Sequence, residues 1–155
     1  MTTSPSSMEN TSGITLGQLG ELFAAAYLEQ LGYRLVAANF SLPVGRNIRG
    51  AIVNAEIDLI AYDGPTLCFI EVKTRASDWF APPQVNVDRR KQRQVSRAAR
   101  AYRKMQDLED QPYRYDVVTV ILGDARRLKE IELLKDFWTD ISLRRARKYD
   151  DRFFD

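Results

Sequence analysis

The 155-residue chain contains no histidine and a single cysteine. Without imidazole there is no Ser-His or Cys-His nucleophilic pair, no His-ligated zinc and no imidazole base. The lone Cys68 forms no intrachain disulfide, and its position between Leu67 and Phe69 reads as a small core residue. No apolar run approaches the roughly 20 residues of a membrane span, so no membrane partner is expected. The polar opening "MTTSPSSMENTSG" has no basic region followed by a hydrophobic one and predicts a disordered tail on a cytoplasmic protein. There is no Gly-rich phosphate loop and no internal repeat, and a net charge of +2 is too small to name a partner. Acid-base or metal chemistry is left to carboxylates, lysines, tyrosines and bound water.

What is present is the composition of a soluble domain, 45% apolar and 28% charged. Its length suits one core. Periodicity and capping signals predict a helix over 16–31, stopped by Gly32, and a strand over 34–40. Residues 41–53, "SLPVGRNIRGAIV", read as a mobile loop or an extended hairpin. "EIDLIAYDGPTLCFIEVKTR" reads as two strands about a turn. A Pro-containing connection carrying Trp79, Phe80 and Pro82 leads to a helix over 87–105, then strands over 113–122 and 128–134. The three aromatic and proline residues suit packing better than base stacking. The order α-β-β-β-α-β-β implies an α/β fold, a mixed sheet of about five strands flanked by helices. Residues 1–14 form the tail, 15–138 one domain, and 139–155 a charged C-terminal segment.

The hairpin carries charge where a buried sheet takes Val or Ile. Asp58 lies in its first strand, and Glu71 and Lys73 lie in its second. A two-residue turn at Asp63-Gly64 sets Asp58 diagonal to Glu71, and a four-residue loop from Asp63 to Thr66 sets them opposite. Strict alternation puts them on one face in either register. Like charges opposed across a sheet are destabilising unless a cation sits between them or one is protonated. A divalent hard cation held by Asp58 and Glu71 resolves the conflict, and a solvated edge cluster is the alternative. Glu56 shares the Asp58 face near the strand start.

In the second helix, Arg89, Arg93, Arg97, Arg100 and Lys104 fall within about 80° of one another on a 3.6-residue wheel. Val87, Val95, Ala98, Tyr102 and Met105 lie opposite. Such a stripe is either a footprint for nucleic-acid phosphates or a solvated face. Lys91 projects instead into the apolar face, from which its long side chain either snorkels out past the first turn or reaches into the hairpin site, the latter favoured. Asp116 reads as structural, paired with an arginine or capping a turn.

Together "LGELFAAAYLEQLGYRLVAANF", "EIDLIAYDG…LCFIEVKTR" and "VNVDRRKQRQVSRAARAYRK" resemble the YraN-like family of small bacterial proteins. These are predicted endonucleases of the PD-(D/E)xK superfamily, similar to archaeal Holliday junction resolvases. The resemblance implies a restriction-endonuclease-like core and a metal-dependent endonuclease acting on DNA in repair or recombination, with branched or single-stranded DNA as substrate. The alternative is a catalytically inactive nucleic-acid-binding or recruitment module on the same fold. It implies Glu21, Asp58, Glu71 and Lys73 as catalytic residues, with Asp58 and Glu71 holding Mg²⁺ or Mn²⁺. The Arg89, Lys91, Arg93, Arg97 and Arg100 set would bind nucleic acid, and junction-cleaving relatives suggest a homodimer. The sequence departs from the family pattern at Ala55, where Gly is usual, and in the longer 41–53 segment.

Overall fold

Thr15 and Gln18 open the first helix, α1 (Leu16–Gln30), as a capping box. Gln18 N donates to Thr15 Oγ1 at 3.1 Å and Thr15 N donates to Gln18 Oε1 at 3.0 Å. Gly32, at φ 89, ends it: Gly32 N donates to Glu29 O and Tyr33 N to Leu28 O, which satisfies two otherwise orphaned carbonyls. Gly20, Ala24 and Leu28, four residues apart, form its buried stripe. The computed structural model describes residues 13–77 and 86–153, with side chains as far as 148. The expected tail up to residue 12 and the connection bearing Trp79, Phe80 and Pro82 lie outside the described residues.

The sheet contains β1 (Arg34–Arg46), β2 (Ile52–Asp63), β3 (Thr66–Ala76), β4 (Tyr113–Leu122) and β5 (Leu128–Trp138), ordered β1-β2-β3-β4-β5. Every pairing is antiparallel except β3–β4, which is parallel because helix α2 (Arg89–Met105) carries the chain back over the sheet. The expected mixed five-stranded α/β fold is therefore present, followed by a further helix, α3 (Asp140–Phe153). On one face α1 packs on Leu59, Cys68, Ile70, Val118 and Val120. On the other, α2 and α3 pack on Ile57, Ile60, Phe69, Val117 and Trp138. Cys68 is a buried core residue, as read, and burial pushes its thiol up to about 12.

Several boundaries differ from expectation for local reasons. The 41–53 segment is the extended hairpin rather than a loop, since β1 and β2 stay paired to Arg46↔Ile52. Helix α2 begins at Arg89 because Asp88 is its N-cap, accepting from Lys91 N at 2.8 Å. Met105, assigned to the apolar face, is exposed in the last turn. Strand β5 continues past Leu134 to Trp138, whose ring stacks on Tyr115 at 4.9 Å and whose Nε1 donates to Ser96 Oγ at 3.1 Å. Asp116 is structural as read: Arg114 Nε donates to its Oδ1 at 2.7 Å and Arg114 Nη2 to its Oδ2 at 2.9 Å. Asp136 N adds a third bond at 2.9 Å.

Gly20 sets how closely α1 approaches β3. A Cβ there would lie 1.8 Å from Thr74 Oγ1 and 2.7 Å from its Cγ2. Gly20→Ala is expected to destabilise the fold by roughly 1–3 kcal/mol through overpacking, and adding Thr74→Ala to recover part of the loss. Urea unfolding of the two variants checks both expectations.

Candidate active site

The hairpin register is the one that sets Asp58 opposite Glu71. Tyr62 pairs with Leu67 and Asp63 with Thr66, so the turn is Gly64-Pro65, with Gly64 at φ 58. The ladder nevertheless stops at Leu59↔Ile70, one pair short of the two carboxylates. Alternation in β2 also breaks there. Ala55, Ile57 and Ile60 belong to the α2-side core, whereas Leu59 and Ala61 belong to the α1-side core. The phase slips by one residue at Asp58. Facing it in β1, between Ala38↔Leu59 and Phe40↔Ile57, is Asn39 with a left-handed φ of 51. The shared face expected from strict alternation is thus replaced at Asp58 by a parting of β2 from β3, across which its carboxyl group reaches. Asp58 Oδ2 closes the split by accepting from Val72 N at 2.8 Å.

Both groups are buried, Asp58 at 9% and Glu71 at 4% exposure. They occupy opposed positions across the β2–β3 hairpin, and the Asp58 charge acts on Glu71. Glu71 Oε2 meets no donor among the described residues. Its Oε1 lies 3.9 Å from Lys73 Nζ and 3.8 Å from Lys91 Nζ, too long for hydrogen bonds. Burial, and then the Asp58 charge, push the Glu71 carboxyl up to about 8 despite the two lysines. A buried acceptor without a donor, beside a second carboxyl group, is the environment a hard cation relieves. No group of three or more acidic or cysteine side chains is arranged to hold a metal among the described residues. The protein therefore offers a two-carboxylate site.

Glu21 approaches from α1, half-buried, with its carboxyl raised by burial and then by Asp58 and Glu56. Oriented by this network, the Asn39 amide donates to Glu21 Oε2 at 2.9 Å and to Glu56 Oε1 at 3.2 Å. Asn39 and Glu56 are thus an outer tier to the carboxylate pair. Reading the sequence alone missed Asn39. Its signal was an Asn inside an apolar strand, the residue type that best tolerates positive φ.

Helix α2 brings Lys91 to the same place. The Asp88 cap orients the first turn, and Gln92 Nε2 fastens it by donating to Val87 O at 2.8 Å. Arg97, Arg100 and Lys104 lie exposed along the outer face with Arg89, while Arg93 is half-buried. Arg103, outside the stripe, is buried over the Tyr113 ring at 3.8 Å. The structure thus gathers Glu21, Asp58, Glu71, Lys73 and Lys91 at one site, and Arg97 and Arg100 lie farther along α2.

The model of "Uncharacterised protein family UPF0102" matches residues 20–120. A UPF0102 protein of Geotalea uraniireducens is 40% identical over 79% of this chain and 87% of its own length. One of Syntrophus aciditrophicus is 40% identical over 81% and 90%. One of Chlorobium limicola is 43% identical over 72% and 78%. The matched region spans α1 through β4 and so contains every residue gathered at the site.

A carboxyl raised from 4.5 to about 8 on folding stabilises the folded state while protonated, fully below about pH 4.5 and progressively less up to pH 8. In EDTA, wild-type stability is expected to fall between pH 5 and 8.5 by on the order of a few kcal/mol. Glu71→Gln should flatten that slope. Urea unfolding across the range checks it, and parallel slopes in the two proteins would contradict this origin.

Proposed function

The chain belongs to the uncharacterised protein family UPF0102, and from that premise and the geometry of the site we propose that it is a metal-dependent endonuclease hydrolysing phosphodiester bonds in DNA, branched or single-stranded DNA included. One observation carries the reading: a buried Asp58–Glu71 pair with an oxygen that meets no donor among the described residues, flanked by two ammonium groups. A purely structural pair would be expected to satisfy that oxygen, as Arg114 satisfies Asp116.

The donor set suits Mg²⁺ or Mn²⁺, hard cations that use one or two protein carboxylates and complete their shell with water and substrate phosphate. Such a cation, when bound, lowers the pKa of a bound water and neutralises charge on the phosphoryl oxygens. The protein's own groups do the positioning. The Val72 amide fixes the Asp58 carboxylate, and Glu71 faces it across the strand split. Lys73 orients the attacking water as a hydrogen-bond donor, and Lys91 offsets charge on the phosphate. Glu21, tied to Asn39, holds the outer edge of the acidic cluster. Arg97 and Arg100 contact phosphates beyond the site, in line with the exposed face they occupy. Association of two copies, which would let one assembly engage both strands of a junction, belongs to the same proposal.

The test is cleavage of labelled duplex, single-stranded, flap and four-way-junction DNA with Mn²⁺, Mg²⁺ or EDTA. Cation-dependent products are expected, reduced at least about 10²-fold by Asp58→Ala or Lys73→Ala while far-ultraviolet circular dichroism stays unchanged. Cleavage that survives both substitutions would reject the proposal. DNA binding that depends on salt, without cutting and indifferent to the cation, would instead favour the inactive binding module.

A further inference from the structure

The β1–β2 hairpin is longer than the sheet that supports it. Strand β3 pairs with β2 only from Leu59 to Asp63, whereas β1 and β2 remain paired from Ser41↔Glu56 out to Arg46↔Ile52. The outer half is therefore a two-stranded arm. Its base is anchored on α2 through Phe40, which meets the Tyr102 ring edge-on at 5.1 Å, and through Leu42, Val44 and Ala55. Its tip is locally closed. Asn47 N donates to Ala51 O at 2.9 Å, and the Asn47 side-chain oxygen accepts from Arg49 N and Ala51 N at 3.0 Å. Arg46 Nη1 donates to Gly50 O at 2.8 Å. Ile48 stands fully exposed at the apex, and Ile52 below it is more than half exposed.

Beyond Glu56 at its base, charge on the arm has one sign. Residues 41–53 contain Arg46 and Arg49 and no carboxylate, in a chain with 21 acidic residues. At the base, Leu42, Pro43 and Val44 and the α2 residues Arg97, Arg100 and Ala101 line an open groove of about 300 Å³. Cationic side chains thus run from Lys73 and Lys91 at the carboxylate pair, past Arg97 and Arg100, to Arg46 and Arg49. Seven residues separate Asp58 from Ala51 along β2, about 23 Å at strand rise. That is about two-thirds of a duplex turn.

Arginines alone would suffice to hold a phosphate backbone. A β-branched apolar residue held out by a hydrogen-bonded turn contributes nothing to phosphate contact, but it suits a gap between bases. Resting on the DNA reading above, we propose that the arm is a nucleic-acid wedge. Ile48 enters a base step or the open centre of a branch, while Arg46, Arg49, Arg97 and Arg100 hold the flanking phosphates. The substrate class this selects is DNA already unstacked or branched, because an intact duplex must first give up stacking free energy to admit the side chain.

The test measures binding in EDTA to a four-way junction with 2-aminopurine at its centre and to an intact duplex carrying the same probe, using wild type, Ile48→Ser and Arg97→Glu/Arg100→Glu. Wild type is expected to prefer the junction by about tenfold and to raise the probe's fluorescence there. Ile48→Ser should lose both while keeping the slope of log K against log salt. The charge-reversed variant should weaken binding to both DNAs and flatten that slope by about two. Salt-dependent binding with preference and fluorescence unchanged in Ile48→Ser would overturn the wedge and leave the nuclease reading standing. Failure of wild type to bind either DNA would remove the nuclease reading and the wedge with it. If sedimentation shows Ile48→Ser turning a dimer into a monomer while DNA binding is unchanged, the tip is a contact between copies of this chain and the wedge is wrong.

Discussion

The active-site geometry depends on one unfavourable contact, the burial of Glu71 beside Asp58 where β2 and β3 part. Two carboxyl groups with little water between them repel when both are ionised, and desolvation penalises each charge separately. The fold answers the conflict only in part. The Val72 amide bonds Asp58, and two half-exposed lysines sit at long range from Glu71. A single extra donor aimed at Glu71 Oε2 would make the arrangement quiet, and none is present among the described residues.

Asp116, next in β4 to Val117, the register partner of Glu71, shows what a quiet arrangement looks like. Asp116 is fully buried, yet Arg114 and the Asp136 amide satisfy it, and Arg114 Nη2 reaches on to Tyr33 Oη at 2.9 Å and Asp63 Oδ2 at 3.0 Å. That network joins β2, β4 and β5 with the turn after α1, using strong charge-assisted bonds. Both centres are buried acids in the same sheet. They differ in whether the acceptors find donors, and this separates a group that stabilises from a group left available for chemistry.

Much of this was legible in the sequence because the signals were local. Gly32, the two helices and the apolar runs set the order of elements, and charged residues inside apolar strands marked Asp58, Glu71 and Lys73. Lys91 was legible for a similar reason, a cation projected into an apolar helix face. What escaped depends on contacts across the sheet. The phase slip at Asp58 leaves no mark in β2 itself, since Ile57, Leu59 and Ile60 suit either face, and its partner Asn39 lies 19 positions earlier. The pairing of residues 41–53 was ambiguous because Pro43, Gly45 and Gly50 are loop residues by composition. Here they occupy a bulged ladder and its turn. The C-terminal helix was hidden by its charge, and among the described residues Leu143 and the Asp140 contacts to Tyr113 and Tyr115 help dock it.

On the proposed reading, the strand split would also tie uptake of a cation at the pair to proton release. With Glu71 pushed up to about 8, much of the pair's population carries a proton at neutral pH when no cation is present. Ligation requires the carboxylate, so binding at the pair must expel that proton, and affinity rises with pH until the group is fully ionised. The pH trend of cation affinity is therefore opposite to that of cation-free stability, and both stem from the same burial. A surface pair of acids would show neither trend strongly, because water would screen it. Burying the pair makes the cation-free protein sensitive to alkali, and it leaves Glu71 Oε2 without a donor among the described residues.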